Sequence, residues 1–333
     1  MAAFVAVHTD PPAGNTLENE RAELARVDAE LLVPGAGAGG PLVSLLVRAD
    51  AVLNTVLPLT AGDVASMARC RVIVRTGVGV DNVDVAAATA AGIVVACVPD
   101  ASIEEVSNHA LGLLLALSRK LVRLDRALRG GRWDRTLLAP MGTIHGQTLG
   151  VVGFGRIGQA LCRKALALGL RVVAYDPLVP PSAIAAAGAN VVSLEELLRT
   201  SDFVSLHAPL APGTAYLIGE RELALMPPGA FLINTARGGL VDQVALTRAL
   251  QSGRLAGAGL DVFEQEPLPT DDPLLALDNV ILTPHSAAFS DTSVREIRRR
   301  SGEAAASVLA GRWPRGLVNP DVTPRFPLSE PGR

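Results

Sequence analysis

The stretch GVVGFGRIGQALCRKALALGLRVVAYDP (Gly150–Pro177) decides the fold, because a glycine motif in it joins a predicted strand to a predicted helix. Gly153, Gly155 and Gly158 form G-x-G-x-x-G at this junction. In a strand–turn–helix unit the first glycine permits the tight turn and the second lets the backbone approach a pyrophosphate. The third lets helix and strand pack closely. The alternative is a glycine-rich packing turn without a ligand, but the surrounding strand and helix favour a dinucleotide site.

An acidic residue, Asp176, stands at the end of the next predicted strand, 18 residues beyond Gly158. In dinucleotide-binding folds, a carboxylate at about this distance from the glycine motif accepts hydrogen bonds from the adenosine ribose. It repels a 2′-phosphate, so NAD is predicted over NADP, and the helix N-terminus is expected to bind the phosphates. The predicted cofactor-binding residues of this stretch are Gly153, Phe154, Gly155, Arg156, Ile157, Gly158 and Asp176.

The rest of the chain alternates short apolar runs with helical patterns, which predicts an α/β protein. Continuous apolar strands are typical of parallel sheets covered by helices on both faces. We therefore predict two doubly wound parallel-sheet units of unequal size, the first with a loop at Pro34–Pro41. The predicted strands are Phe4–His8, Ala51–Asn54, Val72–Arg75, Ile93–Ala96, Thr148–Val152, Val172–Tyr175, Phe203–Leu206, Ala230–Asn234, Ala258–Asp261 and Val280–Leu282. The predicted helices are Thr16–Arg26, Ala61–Ala68, Val85–Ala91, Arg156–Leu168, Leu194–Thr200, Glu220–Leu225, Gln243–Gln251 and Asp291–Ala310.

A longer helical segment separates the two series of strands. Ser102 with Glu105 three residues later matches a capping box, which predicts that a helix begins there. The pattern predicts a helix to about Leu117, a break or kink, and a continuation to Leu128.

Composition and charge exclude several classes of protein. The chain has 333 residues with 49% hydrophobic and 19% charged, which is ample for two globular domains. A net charge of −3 predicts no nucleic-acid partner, and we interpret an arginine cluster as a solvated helix face. No signal peptide or membrane span is visible, and the cysteines form no C-x-x-C pair, so a cytoplasmic protein with reduced thiols is predicted. The cluster comprises Arg295, Arg298, Arg299 and Arg300, and the cysteines are Cys70, Cys97 and Cys162.

Three side chains follow successive predicted strands of the second series and form a candidate catalytic set. Arg237, Glu266 and His285 should meet at the carboxyl edge of the sheet, where ligands lie in such folds. Arginine binds carboxylates or polarises a carbonyl, histidine transfers a proton near neutral pH, and a paired glutamate orients it and favours the imidazolium. Singly, each has a plainer interpretation, as a surface arginine, a loop charge before Pro267, and a polar strand end.

Together these segments resemble the D-2-hydroxyacid dehydrogenase family. The resemblance rests on RTGVGVDNVD (Arg75–Asp84), GFGRIG with Asp176, NTARGGLVD, LDVFEQEP and TPHSA. It implies hydride transfer between NADH and a small 2-keto acid, which is thereby interconverted with the 2-hydroxy acid. His285 would be the acid–base catalyst, Glu266 its partner, and Arg237 the residue that binds the substrate.

The resemblance also implies further site residues and a domain layout. The substrate would contact Arg75, Gly77, Val78, Gly79, Arg237 and His285, and the cofactor would contact His207, Ala208, Pro209, Thr235, Ala236, Arg237, Asp261 and His285. Asp261 is expected to face the nicotinamide amide. A flavodoxin-like substrate domain would comprise residues 1–101 and 286–333, with a Rossmann NAD domain at 102–285 inserted in it. The helices after Ser102 would help to build a homodimer.

Within the family, TPHSAAFSDTSVREIRRR is similar to the branch of C-terminal-binding corepressors, and RTGVGVDNVDVAAAT is similar to phosphoglycerate dehydrogenases. Ala288 and Phe289 replace a Trp-Tyr pair of the corepressors, and Asn54 and Thr55 replace Tyr-His, so their substrate preference is not carried over. An NAD(H)-sensing binding protein that acts through protein partners therefore stays open beside the enzyme. A formate or phosphite dehydrogenase fits less well, because residues typical of those enzymes are not seen around the catalytic positions.

Overall fold

A computed structural model of the chain describes residues 2–11, 16–35 and 40–329. It divides into two compact units. The first runs to Ser102 and resumes at Ser290, and the second comprises Ile103–Phe289. The first unit is therefore discontinuous in sequence.

The first unit is built on a parallel sheet of five strands in the order β2-β1-β3-β4-β5, the order of flavodoxin-like folds. A final helix, α12, packs against α1 and against two central strands, β3 and β4. The strands are β1 (Phe4–His8), β2 (Ala29–Leu32), β3 (Ala51–Asn54), β4 (Val72–Arg75) and β5 (Val94–Cys97). The helices are α1 (Glu18–Ala25), α2 (Leu42–Leu46), α3 (Ala61–Ser66), α4 (Val85–Ala90) and α12 (Asp291–Leu309).

The second unit is built on a parallel sheet of seven strands in the order β12-β11-β10-β9-β6-β7-β8. The strands are β6 (Thr148–Val152), β7 (Arg171–Tyr175), β8 (Asn190–Val191), β9 (Phe203–Leu206), β10 (Phe231–Asn234), β11 (Gly257–Leu260) and β12 (Val280–Leu282). The helices are α5 (Ile103–Ser118), α6 (Leu121–Arg129), α7 (Arg156–Ala167), α8 (Pro181–Ala186), α9 (Leu194–Thr200), α10 (Glu220–Leu225) and α11 (Gln243–Gln251). Short 3-10 segments lie at Arg135–Leu138, Gly238–Leu240 and Pro273–Ala276.

Helices cover both faces of the larger sheet, which explains its uninterrupted apolar strands. All five residues of β6 are buried. On one face Phe203 stacks on Phe231 at 5.3 Å between ring centroids, within a core shared with Leu114 of α5 and Leu161 of α7. A second core on α9, α10 and α11 buries the alternate strand residues. This double burial holds the strand ends in place and so positions the loops that follow them.

The predicted α/β class with two doubly wound parallel sheets is confirmed. The expected break between the long helices lies at Lys120, whose left-handed backbone (φ 53°) separates α5 from α6. Two strands and two helices were missed, namely β2, β8, α2 and α8, which have at most six residues each and so carry little periodicity. Four residues of the predicted Pro34–Pro41 loop, 36–39, lie outside the described residues.

Within those described residues, no helix is long and apolar enough to cross a membrane. The three cysteines all lie in the described residues, and none of them forms a disulfide.

Candidate active site

The glycine motif forms a tight turn between β6 and α7. Gly153 has φ +90°, and a Cβ on it would lie 2.5 Å from the Ala208 nitrogen. A Cβ on Gly158 would lie 2.3 Å from the Gly153 oxygen, so the third glycine lets the helix approach the turn. At Gly155, by contrast, no atom lies within 4 Å of a Cβ position. The middle glycine thus faces open space at the start of α7, as a site for a pyrophosphate requires.

Asp176 lies against this turn. Its Oδ2 accepts a hydrogen bond from the Phe154 N–H at 2.7 Å, and its Oδ1 accepts one from the Leu178 N–H at 2.8 Å. The Gly153 N–H donates to the Tyr175 carbonyl at 2.9 Å and so ties the end of β7 to the same turn. Arg156 begins α7 and is exposed, and Ile157 follows it. The carboxylate, the turn and the helix N-terminus are therefore adjacent.

Two further loops border the same edge of the sheet. His207 follows β9, its N–H donates to the Val152 carbonyl at 2.7 Å, and its Nε2 lies 2.9 Å from Ser205 Oγ. Burial lowers the pKa of His207 to about 4, so its imidazole is neutral near pH 7. After His207 come Ala208, which is partly buried, and Pro209, which is exposed.

The loop after β10 contains Thr235, whose Oγ1 is buried without a hydrogen-bond partner in the protein. An orphaned buried hydroxyl at this edge is a feature that a bound ligand would satisfy. Asn234 braces the loop, because its Oδ1 accepts from the Ala236 N–H at 3.0 Å and its Nδ2 donates to the Arg237 carbonyl at 2.8 Å. Together with the open turn at Gly155, these residues fit a dinucleotide.

His285 and Glu266 form a close pair. Nδ1 of His285 lies 2.7 Å from Oε2 of Glu266, and the two side chains are 35% and 33% exposed. Burial raises the pKa of Glu266. The hydrogen bonds from His285 and the Phe263 N–H, together with the charges of His285 and Arg237, lower it more, so the pKa lies below its usual value. An ionised carboxylate only accepts hydrogen bonds, so Nδ1 carries the hydrogen and Nε2 is left for proton transfer.

Arg237 lies close enough to Glu266 for its charge to act on that carboxylate. Its Nη1 donates to the Ala236 carbonyl at 2.7 Å. The next residue, Gly238, lets the backbone of this loop lie against the backbone of Phe263, because a Cβ on Gly238 would lie 1.9 Å from the Phe263 carbonyl carbon. The structure thus brings Arg237, Glu266 and His285 to one edge of the larger sheet.

Asp261 is fully buried beneath the loop that carries His285. Its carboxylate accepts from the Thr283 hydroxyl at 2.5 Å, the Ser286 N–H at 2.9 Å and the Ala287 N–H at 2.8 Å. These donors show that Asp261 holds the loop in place. Its contact with the nicotinamide amide stays a prediction.

In the first unit, Arg75 ends β4 and its guanidinium lies over the following loop. A Cβ on Gly77 would lie 1.4 Å from Arg75 Nη1, so a larger residue there would displace the end of the Arg75 side chain. The Gly77 N–H donates to the Arg75 carbonyl at 2.9 Å, and Val78 is 41% exposed. Arg75 and Gly77, with the adjoining Val78 and Gly79, are thus close together within this unit. Their binding of a substrate carboxylate stays a prediction.

Sequence reasoning missed several residues that shape the site, above all Asn234, Thr283 and His109. Asn234 and Thr283 stand inside the quoted motifs NTARGGLVD and TPHSA and could have been noticed there. His109 lies on α5, far from any of these motifs, and nothing in its surroundings marks it. Among the described residues, no group of three or more His, Cys, Asp or Glu side chains could hold a metal ion.

A doubly wound sheet with a glycine-rich turn, an acidic residue after the second strand and an Arg–Glu–His set defines a dinucleotide-binding protein of the dehydrogenase class. Residues 111–287 match the family model for the NAD binding domain of D-isomer specific 2-hydroxyacid dehydrogenases. The chain belongs to this family, and NAD is its cofactor.

Three relatives illustrate the similarity. A glyoxylate reductase of Korarchaeum cryptofilum is 44% identical, with 80% of this chain and 81% of the relative covered. A D-3-phosphoglycerate dehydrogenase of Methanocaldococcus jannaschii is 42% identical over 80% of this chain. This chain spans about half (50%) of that relative's length. The structure of a D-lactate dehydrogenase from Aquifex aeolicus with NAD and lactic acid superposes with a TM-score of 0.83 at 32% identity, covering 92% of this chain and 96% of the other.

Proposed function

We propose that this chain interconverts a small 2-keto acid and the corresponding D-2-hydroxy acid with NAD(H). The observation that carries the proposal is the His285–Glu266 pair, joined at 2.7 Å at the carboxyl edge of a dinucleotide-binding sheet. A histidine oriented in this way by a carboxylate is suited to general acid–base catalysis near neutral pH.

The roles of the three side chains follow from their chemistry. In the reduction, Nε2 of the protonated His285 donates a proton to the oxygen that becomes the hydroxyl, and the Nδ1–H of His285 keeps its hydrogen bond to Glu266. In the oxidation, neutral His285 accepts that proton. The planar guanidinium of Arg237 binds the substrate carboxylate or keto oxygen, which polarises the carbonyl. A nicotinamide bound at this site would supply or accept the hydride.

The names of the relatives support the substrate class. Lactate, glyoxylate and phosphoglycerate are all small 2-hydroxy or 2-keto acids. The deciding experiment measures NADH consumption by the purified chain with a panel of 2-keto acids that differ in side chain. Turnover of at least one member supports the proposal. NADH-dependent binding of a protein partner without turnover of any member would replace it with the sensing function.

We also propose a homodimer held by the second unit. Support comes from apolar side chains that α6 and the residues after it leave exposed: Leu121 (55%), Leu128 (56%) and Trp133 (83%). Burial of such surface between two copies is a common route to a symmetric dimer. A cytoplasmic location is proposed as well, supported by three cysteines that form no disulfide, and cell fractionation tests it.

A further inference from the structure

We infer that His109 is a positioning residue for His285 and acts on it through Thr283 and Asp261. This inference rests on the proposed role of His285 in catalysis. It concerns a contact between α5 and the loop after β12, across 174 residues of sequence.

The backbone of His285 is in a conformation that needs support. It has φ +50°, in the left-handed region that costs a residue other than glycine about 1–2 kcal/mol. The His285 N–H donates to the Asp261 carbonyl at 2.8 Å. The next two N–H groups, of Ser286 and Ala287, donate to the Asp261 carboxylate at 2.9 and 2.8 Å. Asp261 thus holds three consecutive N–H groups and keeps the catalytic residue in its strained conformation.

The direction of the hydrogen bonds at Thr283 follows from simple counting. The Thr283 hydroxyl lies 2.5 Å from Asp261 Oδ1 and 2.9 Å from His109 Nε2. An ionised carboxylate only accepts, so the single hydroxyl hydrogen points to Asp261. The hydroxyl oxygen must then accept a hydrogen bond from His109, and Nε2 of His109 therefore carries a hydrogen.

His109 is well placed for this role. It projects from α5, which packs on β10 and β11, and its side chain is only 24% exposed. Its Nε2 also lies 3.6 Å from Asp261 Oδ1, so the ring contacts both Thr283 and Asp261. Without His109, the Thr283 hydroxyl loses its donor and is free to rotate away from Asp261. The loop at His285–Ala287 would then lose part of its anchor.

A double-mutant cycle tests the coupling. His109→Leu removes the donor, whereas the side-chain amide of His109→Gln can still donate to Thr283. In the wild-type background we expect His109→Leu to lower kcat by roughly 10-fold with little change in the KM for NADH, because misplaced catalytic groups cost up to about 10²-fold. His109→Gln should recover most of that loss. In a His285→Gln background the same His109→Leu change should alter the residual rate less than about 2-fold.

Two kinetic results overturn the inference. One is that His109→Leu lowers the rate by the same factor in both backgrounds, and the other is that His109→Gln is no more active than His109→Leu. Either result would mean that His109 supports the fold or cofactor binding rather than His285. Thr283→Val removes the central hydroxyl and should reproduce the leucine result, which covers the case that His109→Leu fails to fold.

A structural readout separates this inference from the proposed function. Hydrogen exchange at residues 285–287 should be faster in His109→Leu and normal in His109→Gln, whether or not any 2-keto acid is reduced. In ¹⁵N-histidine NMR spectra, His109 should carry its hydrogen on Nε2. Unchanged exchange in the leucine variant, or a bare Nε2 on His109, overturns the inference. Absence of turnover in the wild type alone overturns only the proposed function.

Discussion

Glu266→Gln is the sharpest test of the proposed acid–base pair, Glu266 with His285, since it removes one negative charge and keeps the shape of the side chain. The amide oxygen can still accept from His285 Nδ1, so the geometry is kept while the charge is lost. The pair is joined at 2.7 Å, and each side chain is about one-third exposed (35% and 33%). Removing one partner of an exposed ion pair costs less than about 1 kcal/mol and of a buried pair about 3–5 kcal/mol, so we assign roughly 1–2 kcal/mol to this half-buried pair.

That energy sets the size of the expected shift. In the proposed reduction the imidazolium is the form that donates the proton, and a neighbouring negative charge favours that form. Because about 1.4 kcal/mol corresponds to one pH unit, the alkaline limb of keto-acid reduction should move about one unit to lower pH in Glu266→Gln. The rate should recover partly in acid. The assay is kcat for NADH-dependent reduction across pH 5–9 with a substrate from the panel.

The control is Glu264→Gln, which removes the same charge two residues earlier. Glu264 is exposed and accepts from the Gln243 N–H at 2.7 Å, whereas Glu266 is the carboxylate that pairs with His285. The alkaline limb should stay in place in this control. The reasoning is refuted if the limb stays in place in Glu266→Gln, or if both variants shift it equally.

Stability supplies an independent readout of the same pair. The pKa of Glu266 in the folded protein lies below its usual 4.5, so the carboxylate is better stabilised folded than unfolded. This stabilisation is fully present above about pH 4.5 and is lost as the pH falls through the lower folded pKa. The free energy of unfolding of Glu266→Gln, measured in urea, should therefore fall below the wild-type value near neutral pH. The two values should converge in acid.

Four further predictions test the other parts of the site and the assembly. His285→Gln should lower keto-acid reduction by ~10²–10⁴-fold and leave NADH affinity, measured by fluorescence titration, unchanged. Asp176→Ala should raise kcat/KM with NADPH relative to NADH, and an unchanged ratio would contradict the role of this carboxylate. Gly158→Ala places a Cβ 2.3 Å from a backbone oxygen of the glycine turn, so it should weaken NADH binding and lower the Tm. Light scattering should give a dimer for the wild type and a monomer for Leu128→Glu combined with Trp133→Ser, and a monomeric wild type contradicts the proposed assembly.

The local signals of this chain were informative because the fold repeats one simple unit. A strand of a parallel sheet is buried on both faces, so its sequence is a short apolar run. A helix instead shows apolar residues that recur with the helical period. β8, with two residues (Asn190–Val191) at the edge of the larger sheet, has neither feature and was missed for that reason. α8 is an alanine-rich turn of six residues, too short for a clear apolar face.

For Asp261, the sequence predicts the position in the fold but does not decide what the side chain contacts. The sequence places it at the end of a strand, from which a contact with the cofactor is expected. The structure shows its carboxylate fully buried and accepting from Thr283, Ser286 and Ala287. A buried carboxylate can accept hydrogen bonds from a ligand or from the neighbouring loops. Which of these occurs depends on the hydrogen-bond donors that the fold places beside it, and the sequence does not show those donors.

The sequence by itself determined the class of fold and the cofactor, and it predicted the edge of the sheet at which chemistry should occur. These depend on short local patterns, namely the glycine motif with Asp176 and polar side chains just after apolar strands. Only the tertiary structure decided how far apart the groups lie and which atoms they use, such as Nδ1 of His285 on Glu266. It alone brought His109 to Thr283, because strand and helix packing joins residues 174 positions apart and no local pattern encodes that contact.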